Sequence, residues 1–170
     1  RLFSKRGQEK SMAKFSMREV VEQAVQTEKI GNEFYSSMAR KFRENHELKE
    51  LFEVLASQEL KHEKIFTELE KQIRDGEPEG WDEVSLYLRA LVDSEFFLGR
   101  DKSLSAIKSV ETAAEAMKFA LGFERETLLY YHGLRHGLRE TIKEKDIIDE
   151  IIKEEKRHIV WLNNLRKSFV

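Results

Sequence analysis

The sequence predicts an all-α protein: a four-helix bundle made of two helix pairs, joined by a long crossover connection that contains an additional helix. Three observations carry this prediction. The 170 residues include one proline, Pro78, and only eight glycines, so few positions forbid helix. Four long stretches repeat apolar residues at steps of three and four. The strongest break in the chain, Gly76-Glu-Pro78-Glu-Gly80, falls between the second and third of them.

Each element has its own signals. Residues 1–15 (RLFSKRGQEKSMAKF) are polar, basic and aperiodic, and are expected to form a loose arm ahead of a single domain spanning 16–170. The first bundle helix should start near Ser16, where Ser16 and Glu19 fit a capping box, and run to about Phe42. The second follows Asn45 and continues to about Asp75, with Gly76 as its stop. An apolar-rich piece, 82–98, reads as one extra helix or two short ones. After a connection over Gly99 to Ser109, the third bundle helix should cover 110–137 and the fourth 142–168.

Composition removes several function classes. A formal net charge of −2 and a pI near 6.3 argue against a nucleic-acid partner. No apolar run reaches the roughly 18–20 residues needed to cross a bilayer, and no signal-peptide core is visible. A cytoplasmic protein without membrane contact is the default expectation. Cysteine is absent, which excludes disulfides, thiolate metal sites and cysteine nucleophiles.

The chain also repeats itself. Adding 96 to 28, 35, 59 and 62 gives 124, 131, 155 and 158, and the pairs read Glu28/Glu124, Tyr35/Tyr131, Glu59/Glu155 and His62/His158. Apolar pairs such as Ala24/Ala120, Leu55/Ile151 and Phe66/Leu162 follow the same offset, as expected of a duplication folded about a pseudo-two-fold axis. All six acids and histidines lie on the apolar stripes. In the first helix the stripe reads Val21, Ala24, Glu28, Gly31, Tyr35, Met38, Phe42; in the third, Met117, Ala120, Glu124, Thr127, Tyr131, Leu134, Leu138. The second places Glu59 and His62 between Leu55 and Phe66, the fourth Glu155 and His158 between Ile151 and Leu162.

Four carboxylates buried without partners would each cost several kcal/mol. Two divalent metal ions supply the four positive charges that would balance them. Glu-x-x-His places both side chains on one helix face, and Glu59-Leu-Lys-His62 and Glu155-Lys-Arg-His158 match the bundle-core dimetal pattern, completed by lone glutamates Glu28 and Glu124. The alternatives are core salt bridges or acids that face solvent. An oxygen-rich set with one imidazole per metal suits two iron ions, with manganese as the other candidate and zinc as a substitute in a crystal.

These residues resemble the rubrerythrin and ferritin-like di-iron carboxylate superfamily, over roughly residues 17–168, through AVQTEKIGNEFY, ASQELKHEKIF, ALGFERETLLYY and IIKEEKRHIVWL. The resemblance is nearest to short rubrerythrins that lack a rubredoxin domain, and it implies a ferritin-like fold. It implies Glu28, Glu59, His62, Glu124, Glu155 and His158 as metal ligands. Two departures matter. There are no Cys-x-x-Cys pairs, and Thr127 stands where rubrerythrins usually have a further glutamate, leaving a symmetric set like that of bacterioferritin-type ferroxidase centres.

The expected activity is a di-iron oxidoreductase that reacts with hydrogen peroxide or dioxygen and draws on an external electron donor. Iron storage through a ferroxidase step and a non-catalytic metal-binding module are the alternatives. A homodimer or higher oligomer is expected, and the Phe96-Phe97 pair either packs or mediates a dimer contact. Tyr35 and Tyr131 are expected either to hydrogen-bond and orient a ligand carboxylate or to pack with a satisfied hydroxyl. Trp161 reads as core or site wall, His132 and His136 as a surface pair, His46 as a solvated helix end, and Glu126 and Glu154 as a solvated face.

Overall fold

The computed structural model describes residues 14–73, 76–93, 99–138 and 142–169. Among them every regular element is helical: α1 (Met17–Lys41), α2 (His46–Gln72), α3 (Trp81–Val92), α4 (Arg100–Ser109), α5 (Ala113–Gly137) and α6 (Ile142–Arg166), with a closing 3₁₀ turn at Lys167–Phe169. Helix α1 pairs with α2 and α5 with α6, and the pairs meet through α1 against α5 and α2 against α6. Helix α3 lies on α5 and α4 on α1.

The capping box at Ser16 forms as expected: Glu19 N donates to Ser16 Oγ at 3.1 Å and Ser16 N to Glu19 Oε2 at 2.7 Å. A second box closes the start of α5, with Glu115 N on Thr112 Oγ1 at 3.2 Å and Thr112 N on Glu115 Oε2 at 3.0 Å. Thr112 and Glu115 are Ser16 and Glu19 advanced by 96, so the repeat extends to the caps. Asn45 caps α2 through Leu48 N at 3.1 Å.

Three expectations need correction. The connection over 99–109, for which the sequence predicts no helix, holds α4, and α5 starts at Ala113 rather than near 110. Helix α4 escapes its own hydrophobic pattern because its buried face is made of small residues, Ser103 and Ala106, while Leu104 is exposed. Lys14 and Phe15, the end of the expected loose arm, are docked: Trp81 Nε1 donates to Phe15 O at 2.7 Å, Phe15 N donates to Ser85 Oγ at 2.6 Å, Lys14 pairs with Asp82, and the Arg89 guanidinium lies 3.9 Å above the Phe15 ring. The rest of the arm, the ends at Asp75 and 94–98, and the Phe96-Phe97 pair lie outside the described residues. The second helix ends at Gln72 and the extra helix at Val92.

The expected stripes are buried, apart from partly exposed members at the helix ends such as Phe42 and Leu138. Helices α1 and α5 bury wider faces than one stripe, because α4 and α3 cover them from outside. Val20, Ile30 and Phe34 on α1 are inside, as are Leu121, Phe123 and Tyr130 on α5. Gly133 permits the close approach of α3: a Cβ there would stand 2.7 Å from Leu88 Cδ2. The apolar core divides into two clusters. One gathers Phe34, Tyr35, Phe52 and Met117 with Ala106 and Val110 of the α4 end; the other gathers Val21, Phe66, Tyr131 and Leu134 with Trp81 and Leu88 of α3. Between them in chain order, at mid-length of α1, α2, α5 and α6, come the acids.

Candidate metal centre

Glu28, Glu59, His62, Glu124, Glu155 and His158 are all fully buried. Their donor atoms converge in two groups: Glu28, Glu59, His62 and Glu155 in one, Glu59, Glu124, Glu155 and His158 in the other, with the atoms of each group within 4.8 Å of one another. Glu59 and Glu155 belong to both. Inside the site, His62 Nδ1 lies 2.9 Å from Glu155 Oε1 and 3.5 Å from Glu28 Oε2. His158 Nδ1 lies 3.1 Å from Glu155 Oε2 and 3.4 Å from Glu59 Oε1 and from Glu124 Oε1.

Two tyrosines reach the terminal acids, and they cross between the halves. Tyr35 of α1 donates its hydroxyl to Glu124 Oε1 of α5, and Tyr131 of α5 donates to Glu28 Oε1 of α1. Each therefore serves the glutamate of the opposite helix, not the one two turns away on its own. Burial, joined by the negative charges of Glu124 and Glu28 respectively, raises both phenols well above their usual range, so each remains a neutral donor.

The outer nitrogens of the histidines are also held. His62 Nε2 is 2.6 Å from Glu154 Oε2 and His158 Nε2 is 2.6 Å from Gln58 Oε1. A carboxylate and an amide oxygen only accept, so both imidazoles carry a proton on Nε2 and turn Nδ1 inward. Gln58 and Glu154 are again one position advanced by 96. The expectation that Glu154 sits on a solvated face is thus corrected: it touches the site, with Lys61 Nζ 3.0 Å from its other oxygen. Gln58 has no counterpart in the sequence reading; the repeat offset was the signal that could have found it.

The remaining donor atoms make contacts with one another but no hydrogen bond. Glu28 Oε2, Glu124 Oε2, both oxygens of Glu59, both of Glu155, and Nδ1 of His62 and His158 are buried and make no hydrogen bond. Eight buried ligand-type atoms without a hydrogen bond, gathered at one place, fit a group of cations, since buried polar atoms are otherwise paired. The pattern also separates two kinds of acid. Glu28 and Glu124 each have one oxygen held by tyrosine and one free, which suits a terminal ligand. Glu59 and Glu155 have both oxygens free, which suits a bridge.

The electrostatics of the metal-free site agree. Burial opposes the charged form of His62, but the carboxylates of Glu155 and Glu28 outweigh it and push the imidazole up to about 11; His158 is pushed up to about 10 against burial by Glu124 and Glu155. Burial and the neighbouring acids Glu28 and Glu155 raise Glu59 well above the carboxylate range, and burial with Glu155 pushes Glu124 up to about 8. Burial also works on Glu155, but His158 and His62 hold it well below the usual value. A metal entering this site would have to displace protons from these groups.

Gly31 makes room for one of the two acids common to both groups: a Cβ there would collide with Glu59 Oε2 and stand 2.9 Å from Phe123 Cε1. At the equivalent place in the other half Thr127 is buried with its hydroxyl unpartnered, so no seventh carboxylate is present there. Trp161 is partly buried with its ring 5.9 Å from that of His158, a site wall as expected. His46, His132 and His136 are exposed, in line with a surface role, and Glu126 is partly buried.

Comparison with known proteins gives two findings. A sequence model of the rubrerythrin family matches residues 19–166. A protein of Thermotoga maritima described as a ferritin-like diiron-carboxylate protein superposes with a TM-score of 0.71 at 23% identity, over 92% of this chain and 98% of its own. No curated protein sequence matches significantly. No described helix is long and apolar enough to cross a membrane.

Proposed function

The chain belongs to the rubrerythrin family, and we propose that it is a di-iron carboxylate oxidoreductase that reduces hydrogen peroxide or dioxygen with electrons from an external donor. One observation carries this reading: eight buried donor atoms without partners, divided into two groups that share Glu59 and Glu155. The description of the Thermotoga maritima protein supports the same metal class. The donor set of four carboxylates and two imidazoles favours iron or manganese.

In this reading Glu28 and His62 would hold one metal and Glu124 and His158 the other, with Glu59 and Glu155 available to both. Two iron(II) ions would supply two electrons, one from each, to the O–O bond of the oxidant. The chain does the rest. Tyr35 and Tyr131 fix the terminal acids by their hydroxyls, Gln58 and Glu154 fix the tautomer and ring plane of the histidines, and Phe34, Phe52, Phe66 and Phe123 exclude bulk water from the centre.

A second reading, a ferroxidase step serving iron storage, is favoured by Thr127, which leaves a symmetric six-residue set. Anaerobic iron(II) loading followed by stopped-flow mixing with peroxide and with dioxygen separates the two. Faster oxidation by peroxide is expected, read as growth of visible absorption. Equally slow reactions with both oxidants would end the peroxidase reading, and a particle of about two dozen subunits on size exclusion would favour storage. No absorbance change with either would leave a metal-binding module without redox activity.

A further inference from the structure

Besides Gly31 and Thr127, the repeat that builds the centre is broken at a pair of residues next to the histidines. Every residue placed above as a metal ligand has an identical partner 96 positions away, and so do the two tyrosines. The two residues that hold the outer histidine nitrogens do not match. His62 Nε2–H meets the carboxylate of Glu154; His158 Nε2–H meets the carboxamide of Gln58, at the same distance of 2.6 Å. The geometry is conserved between the halves and the charge is not.

We propose that Glu154 and Gln58 act as unequal positioning residues, so that the two metal positions differ and the His62 position takes a divalent cation first and more tightly. The proposal rests on the dimetal reading above. An imidazole that donates its N–H to a carboxylate gains electron density at its other nitrogen, and so becomes the stronger ligand there. A carboxamide gives the same orientation without the charge. The Glu154 carboxylate accepts hydrogen bonds from His62 Nε2 at 2.6 Å and from Lys61 Nζ at 3.0 Å. Lys61 offsets only part of the effect, because its side chain is 59% exposed, whereas Glu154 is 18% exposed and lies against a fully buried ring.

Removal of a partner of this kind typically changes metal affinity about 10- to 100-fold. Stepwise zinc constants of the metal-free protein are therefore expected to differ by about ten-fold or more. Zn²⁺ is the probe because it is diamagnetic and has no redox chemistry, so the readout is independent of turnover. In ¹⁵N-histidine-labelled protein, the Nδ1 resonance of His62 should move during the first equivalent of zinc and that of His158 during the second.

Glu154→Gln keeps the hydrogen bond and removes the charge, so it should weaken the first step by about ten-fold or more while two zinc ions still bind. Gln58→Glu should strengthen the second step, and the combined Glu154→Gln/Gln58→Glu protein should reverse the order in which the histidines respond. A role in packing alone predicts no change, since all four side chains make the same contact. Two zinc ions bound with both histidines moving together in the wild type, or an order unchanged in the exchanged protein, would overturn the inequality and leave the dimetal centre standing. No zinc bound at all would overturn both.

Discussion

Gly31→Ala probes how closely the protein backbone approaches the bridging acids. Glycine at mid-helix is ordinarily unfavourable by about 1 kcal/mol relative to alanine, so on propensity alone the substitution should stabilise. The structure argues otherwise. The added Cβ would stand 3.0 Å from Glu59 Cδ and nearer still to Oε2, whereas ordinary contact begins at 3.4 Å. The carboxyl carbon must then retreat by at least 0.4 Å (3.4 − 3.0), and the oxygen further. Phe123, with Cε1 at 2.9 Å, confines the methyl group on another side. Metal–carboxylate bonds span only about 2.0–2.2 Å, so a shift of this size takes a shared ligand out of reach of at least one metal. Zinc or anaerobic iron(II) affinity, measured calorimetrically, should fall about 10- to 100-fold. In the metal-free protein, overpacking of about 1–3 kcal/mol against the propensity gain of about 1 kcal/mol leaves a net loss of about 0–2 kcal/mol by denaturant titration. Wild-type affinity for both equivalents, with a raised melting temperature, would refute the argument that glycine is there to admit Glu59.

Tyr35→Phe and Tyr131→Phe each leave a buried carboxylate oxygen without its donor, and each should destabilise the metal-free protein by about 1–3 kcal/mol in urea melts; unchanged midpoints would mean the hydroxyls are not tethers. The metal-free melting temperature should fall as pH rises from about 5 to 9. His62 and His158 rise from 6.5 to about 11 and about 10, and Glu124 from 4.5 to about 8, so across that window the folded state holds protons that the unfolded chain has lost. Their stabilisation is complete below the unfolded values and lost upward through the folded ones, and a melting temperature flat or rising with pH would contradict it. Ser16→Ala and Thr112→Ala should each cost about 1 kcal/mol, and the double variant their sum, because the two caps close separate helices; a free energy well short of the sum would show the caps to be coupled.

The fold and the burial of the candidate ligands were legible because the acids interrupt apolar stripes, which makes burial itself the signal. Glu28 beside Ala24 and Gly31 cannot face water if its stripe does not. The repeat then separated ligands from ordinary charges such as Lys29 and Lys156. What escaped lay where the pattern is silent. Helix α4 buries Ser103 and Ala106, residues that carry little hydrophobic contrast. Gln58 and Glu154 sit one residue before a ligand, turned about 100° away from the stripe. They reach a histidine on the other helix pair, a contact that no spacing within one helix can announce. The crossing of the tyrosines is hidden for the same reason: position along a helix fixes the face, not which neighbour lies opposite.

That crossing has a consequence for how the chain folds. Helices α1 and α2 are joined by a short turn, and α6 begins at Ile142 soon after α5 ends at Gly137, so each hairpin can form from contacts close in sequence. The tethers of the centre span far greater separations: 89 residues for Tyr35 to Glu124, 103 for Tyr131 to Glu28, and 92 and 100 for the two histidine contacts. Closing loops of that length is slow and entropically unfavourable, and is achieved only once the hairpins dock. Neither hairpin alone holds a complete set of either group, because each group draws acids from both. In the proposed centre cation capture would therefore come late in folding, since each hairpin alone supplies three of the four residues of its group and awaits the fourth from its mate.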